Sequence, residues 1–393
     1  MTSTTPNRLL FKNAHVFGPV DDWEPGWLLT EGNRIRMVGP GAAPNFPADD
    51  ISQWIDGTGL SLLPGFIDLH VHGAVGHEVM DASPDGLQSM ARFYARHGVA
   101  GFLPTTWTGS HEATLQALDV VTELMGPVPG GASILGVHLE GPYLNAAKCG
   151  AQDPQFIRRA DPCEARQYLD SGVIRLLALA PEVDENLWLI DECVRRGVTV
   201  SAAHTSATYD QMRVAVAHGL RHATHTFNAM AGLGHREPGT VGAVMALPEI
   251  RSELIADNIH VHPATMKILV DVKGTDRVIL VTDAIRGAGM PEGDYHIDRR
   301  TVRVHDGSAR LPDGTLAGSI LTMDQALRNI LCATGRPLRE VWPMTSLNAA
   351  RALGMSASKG SLEVGKDADL VLLNADQDVV MTVAEGEIVY RVG

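Results

Sequence analysis

Two histidines one residue apart, His70 and His72, close an apolar run in the stretch PGFIDLHVHG from Pro64 to Gly73. Phe66, Ile67, Leu69 and Val71 give that run the composition of a buried strand, and residues i and i+2 of a strand share a face. His70 and His72 therefore point the same way and can grip one metal ion. Taken alone, such a pair could equally be two core histidines with ordinary partners, because short motifs recur by chance. The pattern continues downstream. Asp68 lies in the same run, His138 and Glu140 end ILGVHLE, His204 ends VTVSAAH, His222 and His225 lie in HATHTFN, and Asp283 ends RVILVTD. Each by itself could be a helix cap or a satisfied buried polar group. Imidazole and carboxylate recurring at five run ends is a different matter, since together they can hold one or two divalent cations.

Those run ends must be brought together by a fold. From Pro64 onwards the chain alternates apolar strand candidates with helical segments. The strands end near His72, Thr106, Glu140, Ala180, His204, Asn228, Asp257 and Asp283. Ser83 with Pro84, and Ser110, are placed to cap helices; Gly98, Gly197 and Gly219 stand where helices should stop. Thr322 and Gln325 fit a capping box before MDQALRNILCATG. Eight strands alternating with helices over roughly 290 residues predict an α/β fold, a (β/α)8 TIM-type barrel over 63–355 whose chemistry sits at the C-terminal strand ends. A doubly wound open sheet is the rival architecture, but no G-x-G-x-x-G follows the first strand.

Both ends of the chain read differently. RLLFKNAHVF and GWLLTEGNRIRMVG are short β pieces with a turn at Glu31-Gly32-Asn33, and DADLVLLN and VVMTVAEGEIVYRV follow the barrel with a turn at Glu385-Gly386. Residues 1–62 and 356–393 are therefore expected to form one small β-sandwich domain with the barrel inserted between them. Residues 286–318 break the strand-helix rhythm and read as a β-hairpin insertion, a candidate lid directly after the eighth strand.

The 393 residues, 45% hydrophobic and 20% charged, supply ample material for a core. A formal charge of -14 leaves no basic surface for nucleic acid or an anionic membrane, so neither is an expected partner. Cys149, Cys163, Cys193 and Cys332 are scattered without a C-x-x-C pair, which points to a reducing compartment. The N-terminal MTSTTPNRLLFKN lacks the apolar core of a signal peptide, and no run is long enough to span a membrane. A cytoplasmic location is expected.

PGFIDLHVHG, HLEGPYLN at 138–145, SAAHTSA at 201–207, THTFNAM at 224–230, LIADNIHV at 254–261 and VTDA at 281–284 occur in this order across nearly the whole chain. In this the sequence resembles the amidohydrolase superfamily and, within it, the sugar-phosphate deacetylases. HLEGP together with HxFNAM discriminates that branch. The resemblance implies removal of the acetyl group from N-acetylglucosamine 6-phosphate to give glucosamine 6-phosphate and acetate. It implies Glu140, His204 and His225 as the principal metal ligands, with His70 and His72 at a second site and Asp283 nearby as general base and acid. One or two ions are implied, zinc first, with iron, manganese or cobalt as alternatives. For the substrate it implies Ala151, Gln152, Asn228, Ala229, His260 and the Leu316-Ala317-Gly318 segment. Arg236 would reach the phosphate bound in a neighbouring subunit, making the working unit a homodimer.

One position departs from the resemblance. The loop after HLEGPYLN usually carries a histidine in a KxGAHDP-like pattern, where this chain reads KCGAQDP with Gln152. Glutamine donates hydrogen bonds but cannot shuttle a proton, so weaker oxyanion stabilisation, a changed substrate or compensation by the metals is expected. Three other readings compete. They are the galacto epimer as substrate, a hydrolase of cyclic amides related to dihydroorotase, and a metal-free scaffold on the same barrel.

Overall fold

In the computed structural model, residues 7–393 are described; the first six, the start of the segment read as lacking a signal sequence, lie outside the described residues. The eight expected barrel strands form, at Phe66–Val71, Val99–Pro104, Val137–Glu140, Ile174–Leu179, Thr199–Ala202, His222–Ala223, Arg251–Ile255 and Val278–Val281. Almost every residue in them is buried, as expected of parallel strands covered on both faces. The third to eighth strands make one continuous parallel sheet, and the first pairs in parallel with the second. Single parallel bridges join Thr105 to His138 and Val71 to Ala284. They link the two sheets on both sides, so the strands form the α/β, TIM-type arrangement.

The strands are shorter than their apolar runs suggest. The sixth is only His222–Ala223, and the fifth and eighth stop at Ala202 and Val281, two residues before His204 and Asp283. His204, His225 and Asp283 adopt φ of 42°, 31° and 50°. A left-handed backbone at a residue with a Cβ costs about 1–3 kcal/mol. It ends the extended run and turns each side chain across the barrel mouth.

The helix signals hold with one exception. Ser83 accepts from the Gly86 amide and Ser110 from the Ala113 amide. Gly219 ends its helix at φ 113°. Thr322 stands at the N-cap of Met323–Thr334 but makes no capping bond. Its expected partner Gln325 is engaged with Asn329 and Arg328 on the outer face, so the capping box does not form.

Strands from both ends of the chain share one eight-stranded sheet. Leu370–Leu373 runs antiparallel to Ser61–Pro64, so the expected boundary at 62/63 falls inside a paired strand. Gly65 follows at once, and a Cβ there would lie 2.4 Å from that of Ala100; only glycine lets the chain pass into the barrel. The hairpin at Gly32-Asn33 joins Asp22–Glu31 to Arg34–Pro40, and that at Glu385-Gly386 joins Val379–Ala384 to Glu387–Arg391. The 286–318 insertion corrects the expectation of a hairpin. It is a three-stranded antiparallel meander, Gly293–Ile297, Arg300–His305 and Ser308–Arg310, because 298–299 and 306–307 both turn the chain.

Candidate metal centre and active-site cleft

Glu140 stands at the end of the third strand with 1% of its surface exposed and faces two sets of imidazoles. Its Oε1 lies 3.0 Å from Nε2 of His225 and 3.2 Å from Nε2 of His204. Its Oε2 lies 3.2 Å from Nε2 of His72 and 3.6 Å from Nε2 of His70. Asp283 Oδ1 completes the second set at 3.3 Å from His72 and 3.4 Å from His70. In each set of three, Glu140 with His204 and His225, or Asp283 with His70 and His72, the donor atoms all lie within 4.8 Å of one another.

The outer nitrogens of these rings decide what the inner ones present. His204 Nδ1 lies 2.8 Å from the Lys148 carbonyl and His72 Nδ1 3.2 Å from that of Thr105. A carbonyl only accepts, so both Nδ1 atoms carry protons, and in the neutral rings Nε2 presents a lone pair. His70 Nδ1 is likewise turned to the Glu253 carboxylate at 3.1 Å. Lone pairs then face carboxylate oxygens, and Asp283 Oδ1 is buried without any donor. Acceptor against acceptor is repulsive unless positive charge lies between them. The donor set of imidazole nitrogen and carboxylate oxygen fits a divalent transition-metal ion, with hydrogen-bond partners that orient the rings of His70, His72 and His204.

The electrostatics agree. Burial by itself would strip protons from His70 and His72, but Asp283 and Glu140 outweigh it and hold both imidazoles above their ordinary range. Burial likewise opposes charge on Glu140, yet His70, His204 and His225 hold that carboxyl well below its usual value. An arriving cation must therefore displace protons. Ion binding is expected to release protons and to weaken as the pH falls through the range in which His70 and His72 protonate. Calorimetric titrations in buffers of different ionisation enthalpy check this; binding without proton release would mean the imidazoles are already neutral.

Two residues that positional reasoning passed over support the site. Glu253, fully buried in the seventh strand, accepts from His70, from His222 Nε2 at 2.9 Å and from the His225 amide at 3.1 Å. Its only signal in the sequence is an acid directly before the apolar Leu254-Ile255-Ala256 of a strand run. Trp107 stacks on His72 with ring centres 3.8 Å apart and planes 13° from parallel. His138 lies behind the site rather than in it. Burial drives its pKa down to about 3, and its neutral ring faces the Leu69 carbonyl through Nδ1.

Beside these imidazoles and carboxylates lies a cleft of about 320 Å³. Ala151, Gln152, Asn228, Ala229, His260, Leu316 and Gly318 line it with His72, Glu140, His204, His225 and Asp283. Lys148 also lines it, with Nζ 3.2 Å from the Met230 carbonyl. His260 is fixed by Nδ1 on Asp257 at 2.6 Å. Gly318, at φ 58°, has no room for a side chain, since a Cβ would lie 2.7 Å from the Asp283 carbonyl. Ala317 is packed among Trp107, Ala151 and Ile285 beneath the insertion and offers the cleft no side chain. Arg236 is brought to the surface rather than into the cleft. Its guanidinium touches His235 at 2.8 Å and makes no ion pair among the described residues. A larger groove, about 660 Å³, lies along the insertion and is lined by residues such as Arg303 and Arg310. It contains none of the buried imidazoles and carboxylates of the two sets, so the smaller cleft is the candidate site.

A parallel barrel carrying buried imidazoles and a shared carboxylate at its C-terminal mouth defines the class of metal-dependent barrel hydrolases. The chain belongs to the amidohydrolase family, whose model matches residues 61–389. It is 38% identical to an N-acetylglucosamine-6-phosphate deacetylase of Lysinibacillus sphaericus over 97% of each chain. It is 39% identical to an N-acetylgalactosamine-6-phosphate deacetylase of Escherichia coli O157:H7 over 93% of this chain and 96% of the other. Its fold matches the N-acetyl-D-glucosamine-6-phosphate deacetylase of Mycobacterium smegmatis, solved as a variant in complex with N-acetyl-D-glucosamine-6-phosphate. The TM-score is 0.90 at 32% identity, covering 98% of this chain and 100% of the other.

Proposed function

We infer that this protein hydrolyses the acetamide of N-acetylglucosamine 6-phosphate, releasing acetate and glucosamine 6-phosphate. The observation that carries the reading is Asp283 Oδ1, a buried acceptor with no donor, beside the ligand nitrogens of His70 and His72 in a cleft large enough for one sugar phosphate. Glu140, His204 and His225 would hold one divalent ion, and His70, His72 and Asp283 a second. A divalent ion in such a site supplies a water of lowered pKa and a Lewis acid for the acyl oxygen. Zinc suits the nitrogen-rich donor set, with iron, manganese or cobalt as alternatives.

The remaining work falls to side chains. Asp283 takes a proton from the attacking water and returns it to the departing amine, which cannot leave as an anion. One amide hydrogen of Gln152 is committed to Glu140 Oε2 at 2.6 Å, leaving the other for the acyl oxygen. Ala151, Asn228, Ala229, His260 and the Leu316-Ala317-Gly318 segment bound the sugar phosphate. Arg236, exposed and without an ion pair among the described residues, is suited to a phosphate in a second copy of the chain, and we propose a homodimer on that basis. The four free cysteines are in keeping with a reducing, cytoplasmic setting. Among the described residues no helix is long and apolar enough to cross a membrane. The terminal sheet, with its own apolar cluster around Phe11, Leu62 and Leu372, is proposed as a small domain supporting the barrel.

The deciding assay is amine release from N-acetylglucosamine 6-phosphate by metal-loaded protein, with the unphosphorylated sugar and the galacto epimer in parallel. Rapid turnover that requires both the phosphate and the gluco configuration is expected. The galacto relative makes the epimer the main competitor, and faster turnover of that sugar would move the assignment to it. Arg236→Ala is expected to raise KM for the phosphorylated sugar about ten- to a hundredfold, the range of a hydrogen bond to a charged group. An equal effect on the unphosphorylated sugar would show that Arg236 does not bind phosphate.

A further inference from the structure

We propose that Gln152 is a positioning residue that divides Glu140 unequally between the two ligand sets, favouring the ion held with His204 and His225 over the ion held with His70, His72 and Asp283. The proposal rests on the reading of Glu140 as a metal ligand and extends it to a residue whose type departs from the expected histidine.

Gln152 is fixed at both ends of its side chain. Its Oε1 accepts from the Thr108 amide at 2.7 Å, which orients the carboxamide and turns Nε2 towards Glu140. Nε2 then donates to Glu140 Oε2 at 2.6 Å. The backbone amide of Gln152 donates to the Cys149 carbonyl at 2.8 Å, and the residue is 1% exposed, so the loop gives the side chain little freedom.

The contact falls on only one of the two carboxylate oxygens. Oε1 faces His204 and His225 and receives no amide. Oε2 faces His70 and His72 and does receive one. A carboxylate oxygen offers about two lone-pair directions. One direction on Oε2 is spent on Gln152, and the short bond draws electron density from the other. Oε2 is thus the poorer donor, while the same bond locks the carboxylate in the orientation that suits His204 and His225. The residue that improves one site weakens the other.

Titration of chelator-stripped protein with Zn2+, followed by calorimetry and by competition with a chromophoric chelator, tests this. Wild-type protein is expected to bind one ion at least about tenfold more tightly than a second, within the range by which outer-shell partners alter metal affinity. Gln152→Leu, similar in size but without a donor, should weaken the first ion about ten- to a hundredfold and tighten the second, so that the two affinities converge. Gln152→His, which restores an N–H donor, should keep them apart. If Gln152→Leu does not fold, Gln152→Met removes the donor while keeping the length. Opposite shifts at the two sites would not follow from general loosening, which weakens both. Affinities unchanged in the donorless variant, or lowered equally, would overturn the proposal while leaving the metal reading intact. Failure of wild-type protein to bind Zn2+ would overturn both.

Discussion

Glu140→Gln is expected to abolish activity and leave less than one ion in ten sites after purification. Glu140 turns one carboxylate oxygen to the inner nitrogens of each set, with Oε1 on His204 and His225 and Oε2 on His70 and His72. A carboxamide is uncharged, and one of its two ends is a donor with no lone pair for a cation. Either end of the new side chain deprives one set of its anion. The protein should still fold, since glutamine keeps the volume in a fully buried position, and thermal melting separates this outcome from collapse. In wild type, an ion at a thousand times its Kd adds about 4 kcal/mol of stability, which a chelator should remove. The chelator should do nothing to the variant. Elemental analysis showing near-stoichiometric metal in Glu140→Gln would mean that the ion is held elsewhere.

Asp283→Asn is expected to separate chemistry from metal binding. Asp283 lies 3.3 and 3.4 Å from the nitrogens of His72 and His70, whereas the set built on Glu140, His204 and His225 does not include it. The ion of that set should therefore stay bound. Turnover should fall by about 10²–10⁴, the usual contribution of a positioned acid or base, with KM changed far less. Burial opposes charge on Asp283, but His70 and His72 outweigh it and hold the carboxyl below its ordinary range. It is thus ionised and able to accept a proton at neutral pH. Normal kcat in metal-loaded Asp283→Asn would reassign the proton transfer to another group.

Much of this architecture is legible in the chain. The eight apolar runs become the eight barrel strands, because period-two and apolar patterning are local properties that survive folding. Ser83, Ser110 and Gly219 mark helix ends through bonds to residues a few positions away, and the turns at Gly32-Asn33 and Glu385-Gly386 set their hairpins for the same reason. Even the residue types of the candidate metal site are readable, since histidine and carboxylate at strand tips stand out against the apolar background.

What the sequence by itself determined is which residue types end the strands, and that a parallel barrel brings those ends together. Only the tertiary structure decided how they are shared. Glu253 reaches His70 from 183 positions away and Gln152 reaches Glu140 from across a loop. Trp107 locks the ring of His72, and Arg236 faces outward rather than into its own cleft. The left-handed backbones at His204, His225 and Asp283, the three strands of the insertion and the uncapped Thr322 belong with these. For the buried polar groups among them the physical reason is common. Strand and turn preferences come from a residue and its near neighbours, whereas the orientation of a buried polar group is set by whichever partner folding places opposite it.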